Sequence, residues 1–495
     1  MSGLLDHLPA LQVVLPLISA PLIVLVRRQR FAWLLTVAVS WISLAIAIAL
    51  FVKVGQTGVI SYAIGSWPPP WGIEYRVDAL NAYVLVLVSL VAAVVAPYAR
   101  ISIAAELPRE QEYLLFAMFC LCLTGLLGIT ITGDVFNIFV FLEISSLSTY
   151  VMIALGQRRK ALVAAYQYLV MGTIGATFYV IGIGLLYLMT GTLNIADLAE
   201  RLRDVKEIRP LLAAYAFITV GIGLKLALFP LHQWLPNAYT FAPSMVTAFL
   251  SATATKVSVY VLLRFYFTVF GASILFEGLP TADVLLALSV AGMVTASLVA
   301  VFQDDLKRMF AYSSVSQIAY ITLGISLANE AGLTASIVHL LNHGITKGAI
   351  FLLIGGIALR CGVVSFDRLR GIGQRMPLTS FGLVISGLSL IGIPGTAGFV
   401  TKWYLVVAAI DRGYWWLVAV IVGSSLIAVA YVWRFVEVAY LSEPDERSVK
   451  RGEAPASMLG FAWVLVIGSL YFGFDTSFSV GGAREAAALL LGGAR

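Results

Sequence analysis

Charge is scarce in this chain. Lys, Arg, Asp and Glu supply only 12% of 495 residues, against 60% apolar ones, and mean hydropathy is +0.94. A soluble domain carries about 25% charged residues, so that class is excluded and a polytopic membrane protein is implied. Cysteine is nearly absent too: Cys120, Cys122 and Cys361 are the only three. Their spacing matches no metal-ligand pattern, and they read as small, buried and inert side chains. The segment ahead of the first apolar run, Leu8 to Val26, lacks the basic stretch of a secretory leader. That run is long enough to span a bilayer and reads as a retained helix.

What the chain has in abundance is long apolar runs. Fourteen of them approach the roughly 20 residues a bilayer span needs. They begin near Leu8, Phe31, Leu80, Tyr113, Val135, Ala161, Leu211, Pro243, Val284, Met309, Leu333, Leu378, Trp415 and Ser457. The fold expected is therefore an all-α bundle of about fourteen transmembrane helices. The net charge of +6 is not a nucleic-acid footprint, because it is sorted by side. Loops after odd-numbered spans hold seventeen basic residues: Arg27, Arg28, Arg30, Arg100, Arg109, Arg158, Arg159, Lys160, Lys307, Arg308, Arg360, Arg368, Arg370, Arg375, Arg447, Lys450 and Arg451. The other side holds nine: Lys53, Arg76, Arg201, Arg203, Lys206, Arg209, Arg412, Arg484 and Arg495. The positive-inside rule then puts both termini outside the cytoplasm.

Two segments between the runs have structure of their own. Ile60 to Asp78 pairs two short alternating stretches around a Pro-rich turn, which predicts an extracellular hairpin. Ile195 to Arg209 mixes charges of both signs at helical spacing, which fits an amphipathic surface helix, a solvated loop being the alternative.

An internal repeat adds a mechanical feature. Gly223 to Pro230 (GLKLALFP) and Gly387 to Pro394 (GLSLIGIP) share the pattern G-L-x-L-x-x-x-P. Each copy ends an apolar run at a proline, which removes a backbone donor and clashes with the preceding turn, so both spans are expected to break. Broken spans in corresponding positions of two halves point to an ion site, since the freed backbone groups must be satisfied inside the protein.

Within this apolar background sit Glu143, Lys225, Lys256, Lys347 and Lys402. Each charge at a span centre costs about 2.5 to 3.5 kcal/mol to insert, so the five oppose insertion by over ~12 kcal/mol unless compensated. Glu143 lies nine residues past Asp134, roughly 12 to 13 Å into its helix, too deep for a carboxylate to snorkel. Lys225 stands just before the first break, where helix-end carbonyls favour a cation. Lys256 is near mid-span in Pro243 to Phe267, and Lys402 follows the second break as the counterpart of Lys225. His339, His343 and Lys347 fall at i, i+4 and i+8 on one helix face. Two histidines four apart can hold a metal, but no Cys or acidic ligand accompanies them and Lys347 repels a cation. A titratable relay face fits better, with hydrogen bonding between helices as the structural alternative. Arg264, Arg434 and Glu437 lie near span ends and are expected to snorkel. Neither a metal nor an organic cofactor is expected.

At these residues the chain resembles the antiporter-like subunits shared by Mrp-type cation/proton antiporters, respiratory complex I and membrane-bound hydrogenases. The matching stretches are GDVFNIFVFLEISSLSTY, GLKLALFPLHQWLPNAYTFAPSMVTAFLSATATKVSVYVLLR, LKRMFAYSSVSQIAY, HLLNHGITKGAIFLLIGG and GIPGTAGFVTKWY. The resemblance implies fourteen helices in two inverted five-helix repeats with the seventh and twelfth helices broken. The divisions are then 1–111 for three leading helices and the hairpin, 112–270 and 271–440 for the repeats, and 441–495 for the last helix and a short tail. It also implies that Glu143 and Lys225 form a coupled pair. Lys256, His343 and Lys402 then continue a hydrated proton axis parallel to the membrane.

The hairpin text GSWPPPWGIEYRVDAL is most similar to the D-type members of the Mrp antiporters. The complex I subunit of similar length usually has Glu at the position of Lys402 and His at that of Gln317. The expected partners are the A, B, C, E, F and G subunits of such an antiporter, with protons and a monovalent cation as cargo. The alternatives are a proton-pumping subunit of a redox-driven complex, or a scaffold that has lost transport.

Overall fold

The computed structural model describes residues 3–444 and 452–492. Of the loop charges counted above, Arg447, Lys450, Arg451 and Arg495 lie outside the described residues. The leading helices are α1 (Leu8–Val26) and α2 (Gln29–Thr57). A hairpin of β1 (Ile60–Ala63) and β2 (Glu74–Val77) follows, antiparallel with Ile60 opposite Val77 and Ala63 opposite Glu74. Then come α3 (Ala79–Glu106), α4 (Arg109–Ile131), α5 (Val135–Ala154), α6 (Lys160–Thr190), the short α7 (Ile195–Arg201) and α8 (Ile208–Leu226). Beyond a break follow α9 (Trp234–Phe241), α10 (Ser244–Leu263), α11 (Thr281–Val301), α12 (Leu306–Ser326) and α13 (Glu330–Cys361). The last set is α14 (Pro377–Ile391), a second break, α15 (Ala397–Asp411), α16 (Trp415–Val436), α17 (Ala456–Phe474) and α18 (Ser477–Leu490).

Every predicted span start falls within four residues of an observed helix start. Short polar side chains mark several of these starts. Asp78 caps α3 by accepting from Leu80 N at 3.0 Å, Asp134 caps α5 through Asn137 N at 2.7 Å, and Asp305 caps α12 through Arg308 N at 3.1 Å.

Among the described residues twelve helices are long and apolar enough to cross a membrane. The other two predicted spans miss that standard for different reasons. Leu306–Ser326 has the length but is too polar, and the last broken span is two helices of 15 residues each.

The hairpin is where the sequence placed it. The amphipathic segment is shorter than expected, with α7 followed by a tight turn at Leu202–Asp204, and it buries Ile195, Leu198 and Leu202. The C-terminal segment, expected as a short tail, is largely the helix α18. Val480, Ala483 and Leu490 are buried along it, and Ser479 O accepts a hydrogen bond from the Tyr83 hydroxyl at 3.1 Å.

Both breaks occur, and they stop short of their prolines. α8 ends at Leu226 and α14 at Ile391, in each case with the next residue in the left-handed region: Ala227 at φ 62° and Gly392 at φ 89°. Helices stop before the residue preceding a proline because that residue is pushed out of the α region.

Burial sorts the bundle into a centre and a rim. The apolar stretches of α3 and α10 are 94% buried and that of α13 is 78% buried, whereas α11 reaches 39%, α16 33% and α17 28%. The rim helices carry the exposed Leu, Val, Ile and Trp side chains that suit lipid or a partner subunit. Two cavities mark the two faces. One of about 640 Å³ joins Arg76, Thr132, Arg203, Arg264 and Leu490 on the hairpin face. Another of about 210 Å³ joins Glu106, Arg158, Ser244 and Lys307 on the opposite face.

Candidate functional site

The first break brings two distant charges together. The Asp134 cap sets the register of α5, so Glu143 stands two and a half turns into the bundle with its Oε1 3.7 Å from Lys225 Nζ. Lys225 also donates to Ser146 Oγ at 2.6 Å, one turn beyond Glu143 on the same face of α5. Lys225 is 5% exposed in its side chain and Glu143 27%.

The helix-end carbonyls expected to hold Lys225 are occupied elsewhere. Leu228 N donates to Gly223 O at 2.9 Å and the Trp234 indole to Leu224 O at 2.8 Å. The Trp234 ring in turn stacks on Tyr168 at 3.9 Å, which fixes the start of α9 against α6. Lys225 is therefore compensated by a titratable carboxylate and a hydroxyl instead of by the helix end.

At the second break the arrangement is reversed. Lys402, on α15, reaches back to the last turn of α14 and donates to Leu390 O at 3.0 Å, Ile391 O at 2.6 Å and Ser425 Oγ at 2.7 Å. Its ammonium also lies 4.9 Å over the Tyr320 ring. The carbonyl dipoles expected for Lys225 thus serve Lys402.

Between the breaks lie the remaining predicted groups, all buried. Lys256 donates to Ser251 O within its own helix and to Thr255 Oγ1 at 3.4 Å. Lys347 donates across to α12, to Phe310 O at 2.7 Å and Ser313 Oγ at 2.5 Å. The His339 and His343 rings stack at 5.4 Å with 12° between planes, and among the described residues none of their four ring nitrogens has a hydrogen-bond partner.

These groups act on one another electrostatically. His339 feels the charges of Lys402 and Lys256, His343 those of Lys256 and Lys347, and Lys347 that of Lys256. Five of the predicted side chains are thereby brought into one neighbourhood. Glu143 and Lys225 form a second, and among the described residues no polar contact joins Lys225 to Lys256. A cavity of about 10 Å³ lies beside Lys225, lined also by Leu142, Tyr179, Ser258 and Val261.

Of the residues expected to snorkel, Arg264 behaves otherwise, whereas Arg434 is half-buried and reaches the loop after α11 at its span end. Arg264 is buried in an ion pair with Asp78 at 2.5 Å and donates to the Tyr260 hydroxyl at 3.1 Å. It points inward because Asp78 caps the neighbouring α3, so both charges meet at the base of the hairpin-face cavity. Arg434 is tied to Val301 O at 2.8 Å, Gln303 O at 2.7 Å and Asp304. Sequence reasoning also missed Lys307 as an inward group, having counted it among loop charges. Only its place one turn before Phe310, on the face of α12 that meets Lys347, hints at burial.

A model of the NADH:quinone oxidoreductase/Mrp antiporter transmembrane family matches residues 132–428, the stretch that contains both breaks and all seven titratable groups. The chain belongs to that family. Within it, the chain is 42% identical over 484 residues to NADH-quinone oxidoreductase subunit N of Desulforudis audaxviator, covering 94% of this chain and 95% of that one. It is 29% identical over 400 residues to the D-type member of the Na(+)/H(+) antiporter of Alkalihalophilus pseudofirmus, covering 81% of this chain and 80% of the relative. Among solved structures, a chain of the Mrp complex from Dietzia sp. superimposes with a TM-score of 0.90 at 27% identity, over 99% of this chain and 98% of that one. The all-α membrane fold and the family resemblance read from the sequence are thus established.

Proposed function

We propose that this multi-pass membrane protein is the proton-translocating subunit of a multisubunit monovalent-cation/proton antiporter in the cell membrane. Its protons move along Glu143, Lys225, Lys256, His339, His343, Lys347 and Lys402. The observation that carries this reading is the Glu143–Lys225 pair at the first break. A carboxylate and an ammonium at 3.7 Å stabilise each other's charge, so adding a proton to Glu143 loosens Lys225 and lets it release one. The buried Lys256–His339–His343–Lys347–Lys402 group provides further stations.

In this reading the chain is a secondary-transporter subunit, not an enzyme, and drives sodium or potassium outward against an inward proton flow. Its partners are the A, B, C, E, F and G type subunits of an Mrp-like complex. The D-type antiporter relative and the Mrp-complex superposition support the assignment. Residues 112–270 and 271–440 form the two inverted repeats, each with its broken helix. The face opposite the hairpin is cytoplasmic, because the larger basic group lies there, and both termini are extracytoplasmic.

The relative named NADH-quinone oxidoreductase subunit N supports a second reading, a proton-pumping subunit of a redox-driven complex. The same residues would then move protons without a counter-cation.

The test of transport is Glu143→Ala and Lys225→Ala in a strain lacking its own sodium antiporters. Sodium resistance should be lost in both, and resistance retained in both would sink the proton-axis reading. The subunit composition of the purified complex, by mass spectrometry, separates the two readings: small Mrp-like subunits favour the antiporter, iron–sulfur or nickel subunits the redox complex.

A further inference from the structure

The cavity on the face opposite the hairpin holds a buried cation that the axis above does not use. The end of α3, the turn before α10 and the start of α12 converge there. Lys307 lines the cavity at 7% exposure and donates to Ser244 Oγ at 3.1 Å and Ala242 O at 3.4 Å. Among the described residues no carboxylate forms an ion pair with it, although Glu106 and Asp305 attract its charge from a distance and Arg158 repels it.

Glu106 is engaged by other groups, accepting from Ser102 Oγ at 2.8 Å and from Ser244 N at 2.9 Å. Ser244 therefore touches both the acid and the lysine at the cavity wall. Inward from the cavity, Phe310 O and Ser313 Oγ, one and two turns past Lys307 on α12, both accept from Lys347. The cavity, Lys307 and the two acceptors of Lys347 thus follow one another along α12.

We propose that Lys307 is the loading residue of the proton path on this face. As the free amine it takes a proton from cavity water beside Glu106. As the ammonium it passes that proton toward the Lys347 amine and returns to the free form. The inference rests on the axis proposed above and names where protons enter or leave it.

A lysine that only braces the end of α9 through Ala242 O would need its charge and donors but not its ability to lose a proton. Arginine separates the two roles, because a guanidinium keeps the charge and donors yet does not deprotonate in proteins. The experiment is proton flux into proteoliposomes holding the intact purified complex, read with a pH-sensitive dye, for Lys307→Met, Lys307→Arg and Lys307→His. Glu143→Gln is run in parallel. Lys307→Met and Lys307→Arg should each lose flux at least tenfold. Lys307→His should recover part of it with a pH profile displaced to lower pH, since imidazole titrates near 6.5.

Flux retained in Lys307→Arg would overturn the proposal, leaving a bracing role. If Glu143→Gln is inactive in that case, the proton axis stands and only the loading role falls. Full flux in Glu143→Gln as well would remove the axis itself. Should Lys307→Arg fail to assemble, Glu106→Gln takes its place, because the amide oxygen still accepts from Ser244 N while the charge is gone. A several-fold loss then supports the loading role, and unchanged flux overturns it.

Discussion

The two breaks differ in what meets the lysine. Lys225, at the end of its half-helix, faces a carboxylate from α5, whereas Lys402, at the start of its half-helix, is held by backbone carbonyls of α14. Both arrangements compensate a buried ammonium, but they respond to protons in opposite ways. A carboxylate can be protonated, which removes the attraction, so the first break can switch. Carbonyl dipoles do not titrate, so at the second break only the lysine itself can change charge. The two broken helices therefore compensate their lysines differently, and on the proposed function gating belongs to the first break.

The largest test of this contrast is Glu143→Gln. Leaving Lys225 as an unpaired buried charge costs about 3 to 5 kcal/mol, and transport by the reconstituted complex should fall at least about 100-fold, equivalent to roughly 2.7 kcal/mol. Transport near wild type would show that the first break does not gate.

Lys402 comes next. Lys402→Met removes three charge-assisted hydrogen bonds, and thermal unfolding should report a loss of about 2 to 4 kcal/mol. Lys402→Glu should be worse than Met, because a carboxylate would face the Leu390 and Ile391 carbonyls with no donor between. A Glu variant as stable as the wild type would erase the distinction between the breaks.

Smaller effects come from the backbone. Gly392 and Ala227 hold the same left-handed position after their half-helices. Gly392→Ala would place a Cβ 2.7 Å from Lys402 Cδ and should destabilise by at least about 1 kcal/mol. Ala227→Gly relieves a left-handed alanine, which costs roughly 1 to 2 kcal/mol relative to glycine, and should be neutral or slightly stabilising in the same unfolding assay. The opposite signs are the prediction, and equal signs would mean that the two turns are not equivalent.

Much of the architecture was legible because it follows from local physics. Apolar run length placed the helices, and the G-L-x-L-x-x-x-P repeat placed both breaks. The count of spans was less secure, because α12 is polar and the last broken helix is divided. The candidate site was legible as a set of residue types, since charges inside apolar runs stand out. Their partners were not. Sequence position points Lys225 to the helix end that Trp234 occupies, points Arg264 outward although Asp78, 186 residues away, meets its tip, and leaves Lys307 among the loop charges.

By itself, the amino-acid sequence determined that the chain crosses a membrane many times, where it breaks, and that Glu143, four lysines and two histidines sit inside its apolar runs. Hydropathy, proline geometry and the cost of an intramembrane charge act over a few turns of chain, so they are written locally. Only the tertiary structure decided which charge meets which. Buried and lipid-facing apolar helices have the same composition, and it is α6, packed against both α5 and α8, that brings Glu143 to Lys225.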